Sequence, residues 1–360
     1  MRQAKNDIFH TNYKYFLPKK TLDEWLSGKA FDNPCKYSDQ EQKDLQKDIQ
    51  DIYHKTVSGS CIEKSGEKPV AIITAGASGA GKTTLIEQEL NKNKSQKNIY
   101  ISASDICLKN QTRTYQKDLK NSDQSLTSRQ NIYKKWEPAA TAAKHLILSH
   151  LIQNKKSFYL GSTCIEPITG NFFEFLKKEG YQIKLLYVTA SDEIRWTSIQ
   201  NRNKTFAHTS CRTQQCVKKQ TIILAKQIHS FLTYADEICF YYRKEAHEKA
   251  NLVAIWTKNK ADSEILGTLQ IFSSQEYTEV KRIHNTAIKT LNRPDLDWES
   301  CIDEKSEILK IFKQQEKREK KCGVHEPITK SPANLHQHSN VYFINTNSES
   351  RKKMGPYETK

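Results

Sequence analysis

Eight residues, Gly76-Ala77-Ser78-Gly79-Ala80-Gly81-Lys82-Thr83, fit the pattern G-x-x-x-x-G-K-[ST] in full. They follow the apolar run Val70 to Ile73 and lead into a helical pattern from Thr83 to Leu90, the strand–loop–helix context in which this pattern holds a nucleoside triphosphate. Gly76, Gly79 and Gly81 permit backbone angles that other residues avoid, so the N–H groups of the loop, those of Ala77, Ser78 and Ala80 included, can turn inward as an anion nest. The helix that starts near Lys82 adds the positive end of its dipole. In such a site Lys82 reaches the β- and γ-phosphates, the Thr83 hydroxyl ligates Mg²⁺, and Thr84 continues the nucleotide-facing run. The alternative, a Gly-rich turn with no ligand, is disfavoured by eight matched positions in the right context.

The loop leaves the phosphate acceptor open, because switches, motors and small-molecule kinases all use it. A switch or motor normally carries an acidic residue at the end of an apolar strand. Here two later apolar runs end in Leu160-Gly161-Ser162-Thr163 and Val188-Thr189-Ala190-Ser191, without one. The run after the loop's helix differs: Ile99-Tyr100-Ile101 passes through Ser102-Ala103-Ser104 to Asp105. A carboxylate there suits a general base for an acceptor hydroxyl, and it equally suits a helix N-cap before Ile106-Cys107-Leu108. Arg195 and Arg202 are seven apart on one helical pattern and share a face, and Arg212 follows a polar stretch. Arginines on a lid over the loop neutralise charge on a transferring phosphoryl group; singly, in so basic a chain, they read as solvated surface.

The elements that must position these residues alternate short apolar runs with longer amphipathic ones, the pattern of an α/β, doubly wound, parallel P-loop sheet flanked by helices. Strands are expected at Val70–Thr74, Asn98–Ser102, Ser157–Leu160, Ile183–Thr189, Glu237–Tyr242 and Leu252–Trp256. Helices are expected at Thr83–Leu90, Ala139–Gln153, Phe172–Glu179, Asp192–Asn201 and Gln215–Leu232. Residues 1–66 read as a helical N-terminal extension, with a capping box at Thr21 and Glu24 and an amphipathic helix over Ser38–Tyr53 that spaces Leu45, Ile49 and Ile52 helically. Residues 67–257 form the expected kinase domain. Residues 258–321 read as a helical segment with helices at Ser274–Leu291 and Leu296–Lys321, and residues 322–360 as a polar tail with one apolar patch, Val341 to Ile344.

Lys82, Asp105, Arg202 and Arg212 stand in the order and spacing of the zeta-toxin family of P-loop kinases, which the chain resembles over roughly residues 67 to 257. The resemblance implies that ATP phosphorylates a sugar hydroxyl of a nucleotide-linked acceptor such as a UDP-amino sugar, with Mg²⁺, with Asp105 as base and with Arg202 and Arg212 on the phosphates. It also implies a possible neutralising antitoxin as partner. The family's Glu-Gly-Thr after its third strand stands here as Gly161-Ser162-Thr163, and its Arg two residues on as Ile165. Thr163 is kept, and Glu166 is the nearby substitute, so those two are the expected acceptor contacts.

Across 360 residues, 57 Lys plus Arg against 41 Asp plus Glu leave a net charge of +16. That charge admits a nucleic-acid partner and hence a rival reading as a polynucleotide 5′-kinase; the lysines are spread without a basic stripe, which disfavours it. A second rival is a nucleotide-gated interaction protein that signals through its flanking helices. Nine scattered cysteines fit a reducing cytosol better than a disulfide scaffold, and His208, Cys211 and Cys216 fall short of a four-ligand zinc set. The N-terminus has no apolar signal region and no stretch is apolar enough to span a membrane, so a soluble, cytoplasmic protein is expected, with secretion into a host cytosol left open.

Overall fold

The computed structural model describes residues 37–57, 67–92, 99–166, 169–204, 206, 213–259, 266–303 and 306. The expected capping box at Thr21, the residues His208, Cys211 and Arg212, and the tail from 322 lie outside the described residues.

Seven strands form one sheet in the order β2-β3-β1-β4-β5-β6-β7. They are β1 Val70–Ala75, β2 Tyr100–Ile101, β3 Phe158–Leu160, β4 Gln182–Thr189, β5 Glu237–Tyr242, β6 Asn251–Lys258 and β7 Gly267–Ile271. The first five run parallel, with β1 between β3 and β4. Their carboxyl ends therefore share one edge, where the chain can turn back and forth across a ligand. β1 and β4 are apolar because both faces of a parallel sheet are covered: Ala71, Ile73, Leu185 and Leu186 are fully buried.

The last two strands depart from the all-parallel expectation. β6 pairs antiparallel with β5, and β7 antiparallel with β6, so the sheet continues past residue 257. β7 escapes the apolar pattern because it is short and carries only Leu269 and Ile271 as large apolar residues, Leu269 alone fully inside. Gly267 faces the Trp256 indole so closely that no side chain would fit between them.

The helices are α1 Asp39–Val57, α2 Lys82–Lys92, α3 Tyr115–Lys120, α4 Leu126–Gln153, α5 Thr169–Lys178, α6 Asp192–Arg202, α7 Gln214–Lys226, α8 Ile228–Tyr234 and α9 Ser274–Lys289. α1 buries Leu45, Ile49 and Ile52, the face expected from their spacing, and Tyr37 before it stacks on Trp136 of α4 with ring centroids 4.9 Å apart. Asp48 of α1 accepts from the backbone N–H groups of Arg113 and Thr114, at 3.0 and 3.1 Å, which ties α1 to the segment just beyond Asp105.

α4 begins thirteen residues before the expected Ala139, at a cap where Ser125 accepts from the Ser128 N–H at 3.1 Å. Pro138 lies inside this helix and lacks an N–H, a loss of about 3 kcal/mol. Full burial of Tyr133, Trp136, Ala139 and Ala140 around it outweighs that loss, at roughly 1.5–3 kcal/mol for each large apolar side chain. The single helix expected over Gln215–Leu232 divides at Gln227 into α7 and α8. Beyond α9, the Trp298 indole N–H donates to the Tyr277 hydroxyl (2.7 Å), which donates to Asp303 (2.8 Å), in place of the start of the long helix expected from Leu296.

Among the described residues no helix is long and apolar enough to cross a membrane.

Candidate functional site

The phosphate loop leaves β1 at Ala75 and enters α2 at Lys82, on the carboxyl edge of the sheet. Gly79 and Gly81 sit at φ +81° and +103°, conformations that a side chain would strain, which is why the pattern asks for glycine there. Gly76 is required for a different reason: a Cβ built on it would lie 2.7 Å from the Val188 carbonyl oxygen of β4.

The loop's shape is held by side chains from elsewhere in the chain. The Ser78 N–H donates to Gln220 Oε1 of α7 at 2.9 Å, and the Ser78 carbonyl accepts from Arg195 Nε of α6 at 3.0 Å. Arg195 is buried at 2% exposure and also reaches Asp192 (2.9 Å), the Val217 carbonyl (3.1 Å) and the Thr221 hydroxyl. Its role is thus to bolt α6 and α7 to the loop. Sharing a helical face with Arg202 does not give the two a common task.

Lys82 donates from Nζ to the Ala77 carbonyl of its own loop at 3.1 Å. Burial, with the nearby charges of Arg195 and Arg202, pushes its ammonium pKa down to about 7. Arg202, half-buried at the end of α6, therefore stands near enough to act electrostatically on Lys82, and it acts likewise on Tyr133 of α4. Arg212, expected beside it, lies outside the described residues. Thr84 is exposed on the first turn of α2.

Asp105 meets the loop directly. Its Oδ2 accepts from the Thr83 hydroxyl at 2.9 Å and from the Tyr100 hydroxyl at 3.3 Å, and its Oδ1 from Lys109 Nζ at 2.9 Å. The helix-cap alternative for this residue is not what forms: Ser102 caps the wide turn Ala103–Leu108 by accepting from the Asp105 N–H, and the carboxylate is free to face Thr83. Burial raises the Asp105 pKa, but the Lys109 charge and the hydrogen bonds from Lys109, Thr83 and Tyr100 outweigh it, and the carboxyl ends below its ordinary value. Two hard oxygen donors side by side, a threonine hydroxyl and an ionised carboxylate, form a donor set that suits Mg²⁺.

The segment after β3 lies against the base of the loop. The Gly76 N–H donates to the Thr163 carbonyl at 3.1 Å, Thr74 exchanges hydrogen bonds with Ser162, and the Cys164 thiol donates to the Thr74 carbonyl at 3.3 Å. Thr163 is therefore brought to the loop by its backbone, while Glu166 is exposed at the rim, where its charge bears on Lys144 of α4. Cys164 adopts φ +52°, an uncommon conformation for a residue with a side chain. Gly161 leaves room for Tyr100: a Cβ there would lie 2.9 Å from the Tyr100 hydroxyl, the group that reaches Asp105.

Arg243, which the sequence reading does not single out, lies against the loop as well, donating from Nη2 to the Gly79 carbonyl at 2.5 Å. The only signal for it is its place directly after β5, at the edge where parallel strands present their ligand-facing loops. Tyr241 and Tyr242 before it are buried core residues of β5.

A family model described as zeta toxin matches residues 55–248. No curated protein matches the chain. Among solved structures, the chain is similar to one from the PezAT chromosomal toxin-antitoxin system of Streptococcus pneumoniae, at 17% identity and a TM-score of 0.44, over 71% of this chain and 98% of that one. It is also similar to AvrRxo1-ORF1:-ORF2 with ATP, at 9% identity and a TM-score of 0.48, over 73% and 77%.

Proposed function

The chain belongs to the zeta toxin family, whose model spans residues 55–248 of its 360, and from that membership we propose that it is an ATP-dependent phosphotransferase acting on a hydroxyl of a small or nucleotide-linked acceptor. The observation that carries this reading is the 2.9 Å contact between Thr83 of a complete phosphate loop and the ionised Asp105.

In this reading the N-terminus of α2 and Lys82 cradle the triphosphate, and Lys82 regains its full charge as the phosphates arrive. Thr83 would hold Mg²⁺, which when bound neutralises phosphate oxygens. Asp105 accepts the proton of the acceptor hydroxyl while the acceptor oxygen bonds to the γ-phosphorus and the bond from that phosphorus to the bridging β–γ oxygen breaks, leaving ADP and a phosphomonoester. Because the carboxyl pKa lies below its ordinary value, Asp105 is already ionised at neutral pH. Arg202 and Arg212 are the proposed clamps on the transferring group.

The acceptor is proposed from the family, as a sugar hydroxyl of a nucleotide-linked metabolite contacted by Thr163 and Glu166. Gly161 and Ile165, where the family has Glu and Arg, make this chain's acceptor pocket its own. A neutralising protein partner is proposed on the same family ground. Incubation with γ-labelled ATP and a fractionated metabolite extract should label one hydroxyl-bearing acceptor, and Lys82→Ala should abolish the label. Nucleotide bound tightly with no acceptor labelled, in any fraction, would overturn the phosphotransferase reading.

A further inference from the structure

Arg243 leaves β5 with its backbone N–H donated to the Thr189 carbonyl at 2.9 Å, so the strand end itself fixes its starting point. Its side chain then packs along the phosphate loop. A Cβ built on Gly81 would sit 3.3 Å from Arg243 Cδ and 3.4 Å from Nη1, so the glycine that the nest needs for its φ is also the one that admits this guanidinium. Nη2 donates to the Gly79 carbonyl and to the Ser198 hydroxyl of α6. The residue is 6% exposed, and its buried Nε has no hydrogen-bond acceptor among the described residues.

Its charge sets it apart from Arg195. Arg195 has Asp192 at 2.9 Å, whereas among the described residues no carboxylate pairs with Arg243. Burying a cation without a counter-charge is costly, more so than its few hydrogen bonds recover. The Gly79 carbonyl on this turn needs a donor. Arg243 supplies one at Gly79 while leaving its own positive charge uncompensated. An incoming triphosphate is the polyanion that this arrangement lacks.

We infer that Arg243 is a positioning residue of the nucleotide site: it holds the Gly79–Gly81 turn, adds its charge to the field that receives the triphosphate, and through Ser198 joins the loop to the helix that carries Arg202. This rests on the reading of the loop as a nucleotide site. A merely structural arginine would lower the stability of the protein without nucleotide. A charge kept for a polyanion has the opposite signature, in which removal spares or raises that stability and weakens nucleotide binding.

The test is calorimetric ATP binding, with Mg²⁺, to the full chain and to Arg243→Gln and Arg243→Lys, together with melting temperatures measured without nucleotide. Arg243→Gln should bind ATP about tenfold more weakly, the loss expected of one charged contact, with its melting temperature unchanged or raised. Arg243→Lys, which keeps the charge but not the guanidinium geometry that reaches Gly79 and Ser198, should lose less than Arg243→Gln, about threefold. ATP affinity within twofold of the parent in Arg243→Gln, or an equal loss in both variants, would overturn the inference. If Arg243→Gln does not fold, Arg243→Lys decides alone: a tenfold loss there contradicts a role carried by charge. Lys82→Ala separates the two readings, since ATP binding that survives it sinks the nucleotide site itself, and binding that survives only Arg243→Gln sinks this inference.

Discussion

The two halves of the site are built differently. On the donor side, a local run of eight residues specifies the loop, and distant side chains, Gln220, Arg195 and Arg243, hold the shape that the glycines permit. On the proposed acceptor side the geometry is set across strands rather than within one segment. Asp105, Tyr100, Gly161 and Thr163 come from two strand ends, those of β2 and β3, and they meet the loop only because β2, β3 and β1 are neighbours in that order. The second kind of site can be retuned by one residue. Gly161 is such a place, because its missing side chain is what lets the Tyr100 hydroxyl approach Asp105.

Paired glycine substitutions break this contrast most strongly. Gly76→Ala sets a methyl 2.7 Å from the Val188 carbonyl, a backbone atom that cannot swing aside, so the loop must shift. We expect ATP affinity to fall by about 100-fold, the scale of a misplacement near 1 Å, as read by calorimetry. Gly161→Ala instead meets the far end of Tyr100 at 2.9 Å and turns it away from Asp105. Transfer rate should fall about tenfold in single-turnover assays with ATP affinity unchanged. Equal effects of the two on binding would erase the distinction between the halves.

A smaller effect is a proton. Lys82 has its pKa held near 7 by burial and by the Arg195 and Arg202 charges, so above that pH the nucleotide-free lysine is largely neutral. ATP binding at pH 8 should then take up close to one proton, and at pH 6 almost none, measured by calorimetry in buffers of different ionisation heat. The same shift works on stability: from about pH 7 up to the ordinary lysine value the unfolded chain binds more protons, so this group makes the nucleotide-free protein more stable as pH rises through that window.

The smallest effect concerns Lys109, exposed and paired to Asp105 at 2.9 Å. The depressed Asp105 carboxyl contributes stability above its unfolded pKa, lost as pH falls through the folded one. Lys109→Ala removes part of that depression. The acid limb of the transfer profile should move up by less than about one pH unit, since the lysine is well solvated.

What the sequence revealed divides along the same line. The loop, β5 and the buried face of α1 were legible because each depends on spacing within one segment. The Thr83–Asp105 contact was not legible, since nothing in the spacing of residues 83 and 105 states that β2 and β1 lie one strand apart. Arg195 looked like a partner of Arg202 because helical spacing reports a shared face but not which side chain the loop covers. Arg243 was invisible because a single arginine after an apolar strand resembles any surface arginine until its burial is known. The first half of α4, before Ala139, was missed because it is the tertiary burial of Tyr133 and Trp136 that holds it.

The central claim is that Asp105 serves the transferred phosphoryl group's acceptor, and one comparison tests it most directly. Single-turnover transfer from γ-labelled ATP by Asp105→Asn should fall by about 10²- to 10⁴-fold, the usual contribution of a positioned general base, with ATP affinity within about twofold of the parent. Transfer at the parent rate in that variant would contradict the account.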